Sequence, residues 1–495
     1  MSAIIAALRQ HAGKNPWRIA LQDASLTLNY RQLFDTVEAL AGRLEEAAPR
    51  VIGLLADNGC AWALADLAAQ MAGIPSVPLP LFFSAGQLAH TIRSAGIEQI
   101  LTDQPERLGL ALQLENLPSQ PFHGALQLLQ LPKTGQGKLP AGTQKVTFTS
   151  GTTGEPKGVC LGLTEMETVA ESLRAASAAR ADDRHLCLLP LATLLENIGG
   201  IYTPLLAGAT ICLPRLAEVG LAGSSGLDVG CLIGALHTWQ ASSAIMVPQM
   251  LQAVVAAGQA GAALPQTLRY LAVGGAPVAQ RLIADAEALG LPVFEGYGLS
   301  ECASVVAVNR PGESRPGSVG RPLPHLRLAF AEDGEILIHD VRWRGYLGEP
   351  AATAGASFIA SGDLGHLDAD GFLYLTGRKK NIFITSFGRN VAPEWVEREL
   401  VSRFPILQAA VFGEARPFNS AVIFVHPIAT PEAIAAALAD ANQQLPDYAR
   451  IRTWIPAKAP FTPANGMATA NGRLRRGDIF AAHAEQLENL YQQHA

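Results

Sequence analysis

Along the first part of the chain the apolar positions recur with two distinct patterns. From Tyr30 to Glu46 they fall three and four residues apart, at Leu33, Val37, Leu40 and Leu44, which predicts an amphipathic helix. Val51–Leu55 is a short apolar run, as expected for a strand buried on both faces. A second helix-like stretch, Ala61–Ala72, stops at Gly73, and Ser76–Leu79 follows as another strand. The alternation predicts βαβ units and a parallel α/β sheet.

Between Gln104 and Gln144 proline, glycine and glutamine accumulate, and Lys133–Gly142 reads as a flexible connector. The mixed pattern resumes over Leu186–Leu213 and Leu232–Gly275, with strands expected at Ser243–Val247 and Leu268–Val273. The glycine-rich Gly220–Gly234 is expected to be loop. After Gly312, segments such as Asp333–Ile338 and Asp370–Leu375 predict short strands and turns, hence a β-rich subdomain. No internal repeat is evident. The fold class expected is α/β: a large N-terminal domain of parallel α/β subdomains plus the β-rich part, followed by a small C-terminal α/β domain.

Composition narrows the function. Nearly half of the 495 residues are hydrophobic and 16% are charged, which excludes a disordered chain and suits two or three packed domains. A net charge of −6 offers no basic excess for a nucleic acid, so small molecules are the expected partners. Cys60, Cys160, Cys187, Cys212, Cys231 and Cys302 form no CxxC pair, which predicts reduced, mostly buried thiols. The apolar start, Met1–Leu8, is soon broken by Arg9, His11 and Lys14, and no uncharged run could span a bilayer; a soluble cytoplasmic protein is expected.

One segment carries chemistry by itself. Thr149, Ser150, Gly151, Thr152, Thr153, Gly154, Glu155, Pro156, Lys157 and Gly158 combine hydroxyls, glycines and one cation. Glycine allows close backbone approach, and converging N–H and O–H donors beside a lysine suit an anion. The spacing to Lys157 is not that of a Walker A loop, and apolar flanks on both sides predict strand, loop and strand. A plain hairpin turn would need no such run of hydroxyls followed by a proline-held lysine.

On this segment the chain resembles the adenylate-forming superfamily of acyl-CoA synthetases, luciferases and adenylation domains, closest to the long-chain fatty acyl-CoA synthetases. The resemblance continues at Gly296, Tyr297, Gly298, Leu299, Ser300 and Glu301, and at Ser361–Lys380. It implies that Tyr297 stacks on adenine beside Gly298, Ser300 contacts the α-phosphate, Glu301 holds Mg²⁺, Asp363 binds the ribose hydroxyls and Arg378 binds ribose or phosphate. Gly274, Gly275, Ala276 and Pro277 resemble the segment bordering the adenine and acyl pockets. Leu191, Thr193 and Pro248 are the other acyl-pocket candidates, and Thr193 stands where many relatives have histidine. Lys380 is the implied hinge between a large domain, residues 1–379, and a small one, residues 380–495. Gly388 belongs to the implied thiol approach loop.

The resemblance further implies ATP, Mg²⁺ and CoA as reactants and cofactors, with a carrier-protein phosphopantetheine as the alternative acceptor. Chemically, a carboxylate is a poor electrophile, and activation needs alignment and charge neutralisation rather than a protein nucleophile; no GxSxG elbow appears. The terminal segment Pro460–Arg476 departs from the family pattern, because Arg473 occupies the position of a catalytic lysine. That leaves a catalytically weak nucleotide- or acyl-binding homologue as a third reading. Apolar pocket-forming stretches, including Ile245–Pro248, favour a fatty or other hydrophobic acid.

Overall fold

The computed structural model describes residues 2–114, 117–132, 137–149, 156–222, 226–349, 358–469 and 473–493. Two sheets form the bulk of the large domain. The seven-stranded sheet is centred on Ile52–Leu55, which pairs in parallel with Ser76–Pro78 and Gln99–Thr102. The nine-stranded sheet has six adjacent parallel strands, Val293–Tyr297, Tyr270–Val273, Ser243–Met246, Arg184–Leu186, Thr210–Cys212 and Ile19–Gln22. Their doubly buried faces explain the short apolar runs in the sequence.

Local rules account for the helices. Tyr30–Ala47 starts at Asn29, whose side chain accepts from the Gln32 N–H while Gln32 answers at the Asn29 N–H. Its face Leu33, Val37, Leu40 and Leu44 is buried in the main core, as its spacing predicts. The helix Cys60–Met71 is buried almost all round, including Asp66. That aspartate belongs to a buried polar knot: Lys145 Nζ donates to Asp66 at 2.6 Å, to Asn197 at 2.5 Å and to the Tyr202 hydroxyl at 2.9 Å. The knot ties the seven-stranded sheet to the π-helical turn Asn197–Tyr202, and breaking a buried ion pair by removing one partner costs about 3–5 kcal/mol.

Two sequence expectations change. The stretch after Gln104 holds a helix, Pro105–Leu112, and a hairpin, Ser119–His123 with Leu126–Gln130, which extends the seven-stranded sheet; of the expected connector, Lys133–Gln136 lie outside the described residues. Gly220–Gly234 is not all loop, because a helix runs from Val229 to Thr238, capped by the Asp228 carboxylate on the Cys231 N–H. Burial of Leu232, Ile233 and Leu236 against the second core outweighs the cost of Gly230 and Gly234.

The β-rich part is a four-stranded antiparallel sheet, Arg327–Phe330, Glu335–His339, Phe358–Leu367 and Leu373–Arg378. Beyond it, the C-terminal domain packs helices Pro393–Val401 and Pro431–Gln444 on a three-stranded sheet with its own core. It meets the large domain through polar contacts: Arg281 donates to Asp440 at 2.7 Å, and Gln252 donates to the Val401 carbonyl at 2.7 Å. Five of the six cysteines are buried and Cys231 is exposed. No helix among the described residues is long and apolar enough to cross a membrane.

Candidate active site

A cavity of about 680 Å³ opens at the carboxyl ends of the parallel strands, where the two domains meet. This is where open α/β sheets place ligands, since the loops leaving the strands diverge there. The strand Val293–Tyr297 delivers Tyr297 and then breaks into the short turn Ser300–Cys302. Gly298 must be glycine, because a Cβ would overlap the Ser304 carbonyl. The Tyr297 hydroxyl donates to Asp363 Oδ2 at 2.8 Å, and Arg378 Nε lies 3.0 Å from Asp363 Oδ1. Strands Phe358–Leu367 and Leu373–Arg378 make that pairing, with Asp363 opposite Arg378 in register. Burial pushes the Asp363 carboxyl above its ordinary range, and the Arg378 guanidinium opposes that shift. The Tyr297 hydroxyl is raised well above its usual value by burial first and by the neighbouring Asp363 second.

From the small domain come Gln408, Phe461 and Arg473, all lining the same cavity. Gln408 holds the terminal segment like a backbone partner, donating to the Phe461 carbonyl at 3.0 Å and accepting from the Phe461 N–H at 2.7 Å. Arg473 is further set by its N–H donating to Thr469 Oγ1 at 3.1 Å. Its guanidinium projects into the open cavity, reachable by solvent yet surrounded by protein; that surrounding protein, then Arg378, lowers its pKa, while Asp363, Tyr297 and Glu301 raise it. Neighbouring cations are committed elsewhere: Arg476 pairs with Glu394 and Glu397, and Arg475 with Asp478.

The cavity gathers Thr149, Thr193, Gly274, Gly275, Tyr297, Gly298, Ser300, Glu301, Arg378 and Arg473 from the sequence-based candidates. Ser150, Gly151, Thr152, Thr153 and Gly154 lie outside the described residues. Other candidates stand apart. Asp363 sits behind the surface between Tyr297 and Arg378, while Ala276 and Pro277 follow the lining glycines in the bend after strand Tyr270–Val273. Leu191 is wholly buried in the main core and Pro248 opens the helix Pro248–Gln259; the wall is built instead by Ala192, Leu195, Val247 and Met250. Lys380 occupies an exposed turn, where partial loss of hydration and then the charges of Arg378 and Arg473 lower its pKa. Gly388, with φ +71°, lies at an exposed hairpin tip beside Phe387.

Lys157 faces a smaller neighbouring cavity, where its ammonium lies 5.3 Å from the Tyr346 ring centroid and 4.0 Å from Glu349. Tyr346 links it to the main cavity, since its hydroxyl donates to Glu301 Oε1 at 2.5 Å. Sequence reasoning missed Tyr346 and Gln408, which stand in no local motif and meet the site only through tertiary packing, and it passed over Phe461 within the terminal segment Pro460–Arg476. The carboxylate of Glu301 keeps oxygen free for a hard cation, and Mg²⁺ characteristically takes one or two carboxylates plus substrate phosphates, so this residue fits the expected metal. Deeper, Gly199 leaves room for Ile245, because a Cβ there would come within 2.6 Å of Ile245 Cδ1. His185, Cys187 and Glu196 cluster below, all buried.

Fold and cavity together are those of an adenylate-forming enzyme. The chain belongs to the AMP-binding enzyme family: the family model matches residues 8–347, and the model of the AMP-binding enzyme C-terminal domain matches residues 380–495. A long-chain-fatty-acid–CoA ligase of Mycobacterium bovis is 30% identical over 412 residues, covering 70% of this chain and 68% of that protein. A 2-succinylbenzoate–CoA ligase of Bacillus pumilus is 26% identical, covering 82% of this chain and 84% of that one. Among solved structures, an anthranilate CoA ligase in complex with anthranoyl-AMP superposes with a TM-score of 0.81 at 19% identity, covering 98% of each chain. The o-succinylbenzoate CoA synthetase of Bacillus subtilis with ATP and magnesium gives 0.75 at 23% identity, covering 96% of this chain and 98% of that one. At these identities the structural matches bear on the fold alone.

Proposed function

We propose that this chain is an ATP-dependent acid–CoA ligase acting in the cytoplasm on a carboxylic acid with an apolar body. The observation carrying this reading is one continuous cavity that runs from Tyr297, Ser300, Glu301 and Arg473 into a wall of Ile245, Ala272 and Met250. In the first half-reaction a substrate carboxylate oxygen bonds to the α-phosphorus of ATP while the bond to pyrophosphate breaks, leaving acyl-AMP. Arg473 reaches into the space where carboxylate and α-phosphate would meet and offers both a planar pair of donors. Tyr297 supplies a flat face for adenine, held edge-on by its bond to Asp363. Magnesium bound by Glu301 and the phosphates would neutralise charge on the departing pyrophosphate. In the second half-reaction a thiol attacks the acyl carbonyl and AMP leaves.

That second step needs a thiol to reach the site, and Gly388 is our candidate for its path once the small domain has turned about Lys380. Phe387 and Ile384, exposed beside Gly388, support the carrier-protein phosphopantetheine as a second acceptor, since a protein partner covers apolar surface that CoA does not. The relatives' named acids range from long-chain fatty acids to 2-succinylbenzoate, so the acid is left to experiment. Pyrophosphate exchange across a panel of acids tests activation, and offering CoA or a carrier protein tests the acceptor. Absence of exchange with every acid would leave only a binding role.

A further inference from the structure

The deep end of the cavity is polar in a way the pocket-forming sequence does not advertise. Three adjacent parallel strands turn alternate side chains into it. Ile245 stands opposite Ala272, and one rung deeper His185 stands opposite Ser243, which stands opposite Tyr270. All five line the cavity. Tyr270 precedes Gly274 by four residues, so this rung lies roughly 13 Å from the nucleotide edge.

The hydrogen bonds fix what the rung offers. His185 Nε2 faces Glu196 Oε1 at 3.4 Å, and Nδ1 lies 3.0 Å from Ser243 Oγ. In the neutral ring, with a carboxylate on Nε2, the proton sits on Nε2 and Nδ1 is the acceptor. Ser243 therefore donates its only proton to His185, and its remaining lone pairs face the cavity. Tyr270, stacked on Phe294 and 7% exposed, bonds through its hydroxyl to no described residue. An acceptor and a donor thus stand on neighbouring strands, about 4.8 Å apart at the backbone. The adjacent charges are already matched: Arg269 donates to both Asp183 oxygens and to the Ser177 carbonyl at 2.9 Å. Arg310, whose charge also acts on Tyr270, lies 4.0 Å from Glu313, so each cation beside Tyr270 already faces a carboxylate of the protein.

We infer that the rung recognises a neutral hydroxyl at the far end of the acid, which donates to Ser243 Oγ and accepts from the Tyr270 hydroxyl. The substrate is then a hydroxylated, otherwise apolar carboxylic acid; this rests on the ligase reading above. A plain alkyl terminus would bury the Tyr270 hydroxyl without a partner, which is the condition under which a hydrogen-bonding site discriminates.

The test pairs alkanoic acids with their ω-hydroxy counterparts of equal length, and arylalkanoic acids with their phenolic counterparts. Pyrophosphate exchange gives kcat/KM, and calorimetry gives binding of the same pairs in the presence of AMP. The expected result is a preference of at least about tenfold for a hydroxylated member, from two net hydrogen bonds. Tyr270→Phe and Ser243→Ala should each erase most of that preference, Tyr270→Phe by raising kcat/KM for the unhydroxylated acid and Ser243→Ala by lowering it for the hydroxylated one. Equal or reversed preference in both assays, or a preference that survives both variants, overturns the inference. Exchange with acids of either kind but no preference sinks this inference alone; binding preference without any exchange sinks the ligase reading alone.

Discussion

The two ends of the cavity, which we assign to nucleotide and to acid, are built on opposite principles. At the nucleotide end, Tyr297, Ser300, Glu301 and Arg378 come from strand ends and the turns that follow, each next to a glycine or another marker that also shapes the backbone. At the acid end, Ser243, Ile245, Tyr270 and Ala272 sit on strand faces, where only every second residue looks inward. Chemistry written in consecutive residues leaves a motif. Chemistry written in alternate residues of separate strands looks like ordinary core.

Substitutions can separate the ends, beginning with the largest expected effect. Asp363→Ala removes the anchor of both Tyr297 and Arg378, so exchange should fall by about a hundredfold or more for every acid alike; an acid-dependent loss would break the division. Arg473→Ala should cost adenylation roughly a hundredfold while sparing acyl transfer from supplied acyl-AMP, whereas Arg473→Lys should exchange at least as fast as wild type. Should the alanine variant keep full exchange, Arg473 has no part in activation. Ile245→Phe narrows the apolar middle and should lower kcat/KM for long acids by about tenfold, leaving short acids nearly unchanged. A uniform loss would mean that this wall does not select the acid. Gly388→Trp should slow thioester formation several-fold and leave acyl-AMP formation intact, read by comparing the two half-reactions.

A separate effect concerns stability rather than rate. Glu295 is buried in the strand that carries Tyr297, where loss of hydration pushes its carboxyl up to about 7, against the opposing pull of Arg398 and the Val278 N–H. Its folded pKa is above the unfolded value, so its contribution is complete below the ordinary carboxylate range and is lost as pH rises through about 7. Relative to Glu295→Gln, wild type should lose up to about 3 kcal/mol between pH 5 and 8.5. Parallel melting curves for the two proteins across that range would remove Glu295 from the account.

The same contrast governs what could be read beforehand. Parallel α/β architecture followed from the helix and strand periods around Leu33–Leu79, and the nucleotide end from contiguous motifs. Val229–Thr238 was obscured because glycine is a local signal, whereas its Leu232, Ile233 and Leu236 face finds its reason only in the second core. Leu191 and Pro248 pointed to the right segments but away from the cavity, since one residue along a strand exit or helix start reverses the side that faces inward. Tyr346 and Gln408 reach the site from distant parts of the chain, and nothing around either residue announces the meeting.

Because Cys60, Cys160, Cys187, Cys212 and Cys302 are buried while Cys231 is exposed at the start of its helix, the natural chain carries a single readily accessible handle for thiol-directed dyes. It lies on the large domain. A second cysteine at exposed Ile428 of the small domain would complete a donor–acceptor pair. Fluorescence transfer between them would test in real time the domain rotation we propose, with no native thiol needing to be removed.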